Sequence, residues 1–146
     1  MSEIKLFNVG VKGVIVRDKK VLLLKRDLGN GQVYWDIPGG RIDCNEDIID
    51  TLNRELVEEI PSIKSFEIKE ILHVYRLPRD IEKDLGLLLI FYKVNVEDFQ
   101  VKLSGEHCGY KWFDKEMLNS IYVGASSEVT YIEQGYKDAC LKSLLR

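Results

Sequence analysis

The chain has no unbroken apolar stretch longer than Leu87–Tyr92, far short of the roughly 20 residues that a membrane-spanning helix needs. Gly10, Lys12 and Gly13 interrupt the stretch near the N-terminus where an apolar leader would stand. Cysteine is scarce and odd in number, with Cys44, Cys108 and Cys140 far apart. This excludes a disulfide framework and a paired zinc motif, and it fits a reducing compartment. Proline occurs only at 38, 61 and 78, each as local punctuation. An excess of basic charge is also missing: 21 Lys and Arg face 24 Asp and Glu, for a net charge of −3. A broad basic surface is therefore excluded, which argues against DNA and disfavours an RNA end as ligand. Phosphate ligands accompanied by a cation remain open, because the cation supplies the positive charge. The expectation is a cytoplasmic protein folded as one domain over residues 1–146, with no membrane partner.

What the chain has is an ordinary globular core: 45% of its residues are hydrophobic and 10% aromatic. Val9–Val16 and Val21–Leu24 read as strands joined by a turn at Asp18-Lys19-Lys20. Val33–Ile37 reads as a short strand ended by Pro38-Gly39-Gly40. The spacing predicts a helix over Asp43–Ile60, with Asp43 and Glu46 as a capping box, Cys44 at its opening turn and Pro61 as its stop. Phe66–Leu77 and Leu87–Val96 read as further strands around a charged loop at Pro78–Asp84. Gly109–Phe113 follows as a strand and Lys115–Ile121 as a short helix. A last helix is predicted over Ser126–Leu145, capped by Ser126 or Ser127. On it, Val129, Ile132, Tyr136, Ala139, Cys140 and Leu144 would cover the sheet. Strands with separated helices in this order predict an α/β or α+β layered domain.

The segment Arg54-Glu55-Leu56-Val57-Glu58-Glu59 carries most of the chemical information. Ile48, Leu52, Leu56 and Ile60 fall on one apolar arc of the predicted helix. Glu55 and Glu59 lie at the edge of that arc, and Glu58 stands beside Glu55. Arg54 reaches Glu58 at i+4. Like charges packed beside a core cost free energy. A hard cation such as Mg²⁺ or Mn²⁺ offsets that cost. A solvated acidic face is the alternative, the usual fate of glutamate on a helix, but the placement at the apolar edge favours a metal site.

Gly40, five residues, Glu46, seven residues, Arg54-Glu55-Leu56, one residue and Glu58-Glu59 together resemble the Nudix box. The fixed positions match by chance at roughly 10⁻⁷ to 10⁻⁸ per start, given average residue usage. Val21–Arg26, Trp35–Gly40, and Glu106 with Trp112-Phe113 are similar to the flanks of that box in the family. The sequence departs at the close of the box, where Pro61 and Ser62 replace the usual Gly and apolar residue. Pro also stops a helix, so a rearranged exit turn and an intact set of carboxylates are expected.

The resemblance implies an α/β fold, specifically the Nudix-type α/β/α sandwich with a mixed β-sheet. It implies a Mg²⁺-dependent hydrolase, with Mn²⁺ possible, that cleaves a pyrophosphate bond in a small-molecule nucleotide. A nucleoside triphosphate or related nucleotide is the first expectation. ADP-ribose or a nucleotide sugar is the alternative, to which Pro78 adds a little weight by its place after the box. A catalytically silent, nucleotide-sensing or protein-binding module is the alternative of another class. By position, Glu55, Glu58, Glu59 and the Gly39 carbonyl would bind the metal, and Arg54 would orient the carboxylates. Glu55 or Glu106 would take the proton of water. Arg26, Tyr34, Gly40 and Arg41 are the candidate substrate contacts, with Arg76 and Arg79 behind them; Trp35 and Trp112 are expected in the core. His73 and His107 are expected to be structural or surface residues, and the family leaves monomer or homodimer open.

Overall fold

The computed structural model describes residues 3–43 and 45–145; Cys44, expected at the helix opening, lies outside the described residues. The element order is β1 (Leu6–Arg17), β2 (Lys20–Asp27), β3 (Val33–Asp36), β4 (Gly39–Arg41), α1 (Ile48–Glu59), β5 (Phe66–Arg76), β6 (Leu85–Val96), β7 (Gly109–Phe113), α2 (Lys115–Ser120), β8 (Tyr122–Val123), β9 (Tyr131–Ile132) and α3 (Gln134–Leu144). The sheet order is β5-β6-β1-β2-β3-β9-β8, with β4 pairing β1 and β7 pairing β2. It is mixed: β1 runs antiparallel to β2 but parallel to β6. The β1–β2 turn holds Asp18 at φ 53° and Lys19 at φ 61°, the two left-handed residues of a primed turn that matches the strands' twist.

Alternation along β1 divides the core. Val11 and Ile15 face one cluster, where Leu52, Leu56 and Ile60 of α1 are fully buried. Val14 faces the other, with Leu118 of α2 and Tyr136, Ala139 and Cys140 of α3. The sheet thus lies between two helical layers, and the α/β/α sandwich with a mixed sheet is the observed fold. The apolar arc expected on α1 is the face it buries.

Two helix boundaries differ from expectation. α1 begins at Ile48, and its N-cap is Asp47, whose side chain accepts the Ile48 N–H at 2.9 Å. Asp43 and Glu46 do meet, through the Glu46 N–H on the Asp43 carbonyl at 3.1 Å, but in a turn before the helix. The predicted last helix is split. Ser126 Oγ accepts the N–H groups of Glu128 and Val129, as a cap would. The chain then extends, because Tyr131 pairs with Tyr34 and with Tyr122, and α3 starts only at Gln134. Val129 accordingly stands 48% exposed, away from the sheet.

Candidate active site

Two glycines build the floor of the site. Gly39 sits at φ +151°, and a Cβ there would collide with the β1 backbone at Val11 and Lys12. At Gly40 a Cβ would occupy the space of the Glu55 carboxylate. Glycine at this turn therefore admits Glu55 against the backbone. The Gly39 N–H donates to Glu59 Oε2 at 2.7 Å.

Arg54 organises the acidic face of α1. Its Nε and Nη2 donate to the two oxygens of Glu46 at 2.6 and 2.7 Å. Its Nη1 reaches Glu55 and Glu58, each at 3.1 Å. Glu46 is thus the anchor of Arg54 rather than a cap of the helix. The bidentate contact fixes the plane of the guanidinium, and through it the directions of both carboxylates. Glu58 is exposed and Glu59 buried. Burial pushes the Glu55 carboxyl above its ordinary value, and repulsion from Glu58 and Glu106 adds to this against the pull of Arg54. Glu106, carried on an irregular segment between β6 and β7, therefore lies within electrostatic reach of α1. Burial pushes Glu59 up to about 7, although Lys12 and the Gly39 N–H draw it down.

Behind these glutamates lies a charged cluster that sequence reasoning missed. Lys12 Nζ stands 3.1 Å from Asp36 Oδ1, with side chains 11% and 1% exposed. His107 is fully buried, with Nε2 at 3.2 Å from Asp36 Oδ2 and 4.0 Å from Glu59 Oε1. Burial alone would raise the Asp36 carboxyl, but Lys12 and His107 outweigh it and hold it below its usual range. An ionised carboxylate only accepts, so Nε2 carries the proton and donates. Nδ1 has no partner among the described residues. A ring nitrogen of His107 and one oxygen each of Glu59 and Glu106 lie within 4.8 Å of one another. His107, expected as a structural or surface residue, is buried and stands among the acids, a placement that sequence reasoning did not foresee. A signal was present: Lys12 and Asp36 are opposite charges set singly inside apolar strands.

The candidate substrate contacts fall into two groups. Tyr34 stacks on Tyr131 at 5.7 Å between ring centroids. Arg26 is the cross-strand partner of Tyr34, and its guanidinium lies in the field of Tyr34, Asp36 and Glu106. Tyr34, Tyr131 and Tyr136 line a cavity of about 220 Å³ with Arg79 and Glu133. Glu133 is the N-cap residue of α3, yet its side chain makes no cap bond and pairs with Arg79. Gly40 lies with the carboxylates instead. Arg41 is exposed at the end of β4, while Arg76 lies over the Phe7 ring, 4.8 Å from its centroid. Trp35 packs edge-on to Phe113, as expected of a core residue, and Trp112 packs against the α1 side of the core.

The donor set fits a hard divalent cation. Several carboxylates converge beside a glycine turn, and Arg54 alone on α1 offsets them; oxygen-rich sites of this kind suit Mg²⁺ or Mn²⁺.

Residues 6–132 match the family model of the NUDIX domain. The ADP-ribose pyrophosphatase of Methanocaldococcus jannaschii is 36% identical over 110 residues, which are 75% of this chain and 63% of that protein. The chain thus spans less than two thirds of that relative's length. The RNA pyrophosphohydrolase of Pelagibacter ubique is 31% identical, with 76% of this chain and 79% of that protein covered. Among solved structures, the MutT protein of Methanosarcina mazei Go1 matches with a TM-score of 0.74 at 22% identity, over 97% of this chain and 96% of that one; this is a likeness of fold. No described helix is long and apolar enough to cross a membrane. The match over most of its length, with carboxylates of α1 set against a glycine turn, places this chain in the Nudix hydrolase family.

Proposed function

We propose that the protein is a Mg²⁺-dependent hydrolase of a pyrophosphate bond in a small nucleotide, working as a single domain. The observation that carries this reading is the Glu55 carboxylate, which fills the space over Gly40 and whose charge burial and repulsion from Glu58 and Glu106 make costly without a cation. Glu55, Glu58, Glu59 and Glu106, with the Gly39 carbonyl, would hold Mg²⁺ or, in its place, Mn²⁺. When bound, the cation neutralises the pyrophosphate and lowers the pKa of water.

The remaining work falls to the chain. Arg54 keeps Glu55 and Glu58 oriented through its grip on Glu46. Glu55 and Glu106 are the two acceptors for the water proton. Glu55 is the better prepared, because its carboxyl is held above the ordinary carboxylate value and a base works best near the operating pH. The tyrosine-lined cavity takes the base, with Tyr34 supplying a stacking face. Arg26, opposite Tyr34 on the neighbouring strand and in the field of Glu106, would meet the phosphate chain; exposed Arg41 is a weaker contact of the same kind.

A nucleoside triphosphate or related nucleotide is the first substrate class, since the cavity suits one base. ADP-ribose is the second, favoured by the 36% identity to an ADP-ribose pyrophosphatase. The test is incubation of the purified protein and Mg²⁺ with nucleoside triphosphates, ADP-ribose, nucleotide sugars and dinucleoside polyphosphates, with Glu58→Gln as control. Turnover of one class that the substitution abolishes supports the enzyme and names its substrate. A folded, Mg²⁺-binding protein that turns over none of them would instead favour a silent sensing module.

A further inference from the structure

We propose that His107 is a positioning residue that holds Glu106 against the carboxylates of α1. The inference rests on the reading above, in which Glu106 serves the site. Residues 97–108 contain no helix or strand, and each residue of such a segment loses conformational freedom when ordered. Something must fix the part that carries Glu106.

The segment is tied at identifiable points. Arg17 Nη1 donates to the Phe99 carbonyl at 3.1 Å. The Lys102 N–H donates to Ser62 Oγ at 2.7 Å, and the Ser104 N–H to the Glu59 carbonyl at 3.0 Å. At the far end, the Cys108 N–H donates to the Lys25 carbonyl at 2.8 Å. Between Ser104 and Cys108, Gly105 and Glu106 are exposed and only His107 is buried. Its Nε2–H donates to Asp36, which Lys12 in turn holds ionised. Asp36 ends β3, immediately before the turn that carries Gly39 and Gly40. The imidazole therefore links the peptide of Glu106 to the strand that leads into the glycine floor. Because neighbouring Cα atoms are about 3.8 Å apart, fixing the His107 ring fixes the backbone from which Glu106 projects.

The test reads Mn²⁺ affinity from the electron paramagnetic resonance signal of free Mn²⁺, with no substrate present. Four variants are compared with the wild type: His107→Leu, His107→Gln, Glu106→Gln and the His107→Leu/Glu106→Gln double variant. Losing an outer partner of a metal ligand weakens binding by about 10-fold or more, so His107→Leu should lose about 10-fold. The double variant should bind no more weakly than Glu106→Gln alone, because His107 acts through Glu106. The glutamine variant keeps an N–H at similar reach to Asp36 and should stay within about 3-fold of the wild type. Additive losses in the double variant overturn the proposal. So does a loss of about 10-fold in a folded His107→Gln protein, which would make the imidazole itself a ligand. Should His107→Leu not fold, the glutamine variant decides on that same criterion. If Glu106→Gln leaves affinity unchanged, the assignment of Glu106 to the site fails first. If Glu106→Gln weakens binding and His107→Leu does not, the positioning role alone fails.

Discussion

Replacing Lys12 by methionine isolates the charge buried beneath the site. The methionine stem keeps most of the packing over the Tyr136 ring, which Lys12 Nζ approaches to 5.6 Å from the centroid, and removes the ammonium. Lys12 and Asp36 are separated by 3.1 Å, with side chains 11% and 1% exposed. At an effective dielectric constant of about 20, two unit charges at that distance attract by about 5 kcal/mol. Breaking a buried pair from one side costs about 3–5 kcal/mol, because the other charge is stranded. Asp36 retains the His107 hydrogen bond, so the lower end applies, about 3 kcal/mol. Urea unfolding near neutral pH measures this directly, and the melting temperature should fall by about 10 °C. The pH dependence has a definite sign. Burial raises the Asp36 carboxyl, but Lys12 and His107 overcome it and leave the folded value depressed. Such a group stabilises the fold above its unfolded pKa, and that contribution is lost as pH falls through the folded value. The penalty of Lys12→Met is therefore largest when Asp36 is ionised and shrinks on acidification, as the stranded Asp36 of the variant takes up a proton that the Lys12-paired carboxyl does not yet bind. Adding Asp36→Leu should recover most of the loss. A loss under about 1 kcal/mol at neutral pH, or one unchanged on acidification, refutes the reasoning, since a buried pair of this kind is worth more.

Gly40→Ala should cost at least about 100-fold in turnover, with little change in melting temperature, because the new methyl occupies the Glu55 carboxylate position and small misplacements at a reacting centre are expensive. Glu59, pushed up to about 7 by burial, must lose its proton to ligate a metal. Mg²⁺ affinity measured by calorimetry should therefore fall as pH drops below 7, approaching tenfold per unit, with protons released on binding; equal affinity at about pH 6 and about pH 8 removes Glu59 from the ligand set. Arg54→Lys should weaken Mn²⁺ binding by about 10-fold, because a lysine cannot grip both Glu46 oxygens while reaching Glu55 and Glu58; unchanged affinity would show that the guanidinium does not orient them.

The parts legible in the sequence are those whose signal is local and periodic. Leu52, Leu56 and Ile60 lie one turn apart and are all fully buried, so the inner face of α1 follows from the 3.6-residue repeat. Its start does not. Asp43 and Asp47 are both acceptable caps, and the choice depends on Glu46 reaching Arg54, which spacing alone does not reveal. The two-residue strands β8 and β9 exist only because Tyr131 finds Tyr34 across a long sequence separation. The Ser126 turn before them has the local hydrogen bonds of a helix cap, so the wrong element was signalled by correct chemistry. Within the site, the box glutamates and Arg54 were legible as one helical cluster. Lys12, Asp36 and His107 come from β1, β3 and an irregular segment, and only the fold assembles them. Their trace in the sequence is an unexplained charge in each of two apolar strands, a cost that must be balanced somewhere in the folded chain.

The altered close of the box gives a sharper view of the same point. Where the family carries Gly and an apolar residue, this chain has Pro61 and Ser62, a change that on motif grounds keeps the silent-module alternative open. The surroundings argue otherwise. The Ile63 N–H closes the exit turn on the Ile60 carbonyl at 2.9 Å, and Pro61 needs no N–H there. Ser62 Oγ receives the Lys102 N–H at 2.7 Å, beside the Ser104 N–H on the Glu59 carbonyl at 3.0 Å. The exit of α1 and the segment bearing Glu106 therefore share a seam, to which Ser62 contributes a polar contact that an apolar residue lacks. Restoring the family pattern with Pro61→Gly and Ser62→Leu should then harm the protein. Glycine gives back unfolded-state freedom, about 0.4–1 kcal/mol, and loss of the serine acceptor costs about 1 kcal/mol. The expected result is a melting temperature lower by about 5 °C and a turnover no higher than that of the wild type on whichever nucleotide the panel identifies. A double variant that is more active would mean that Pro61 and Ser62 impair the site, and would sink the view that they rebuild its support.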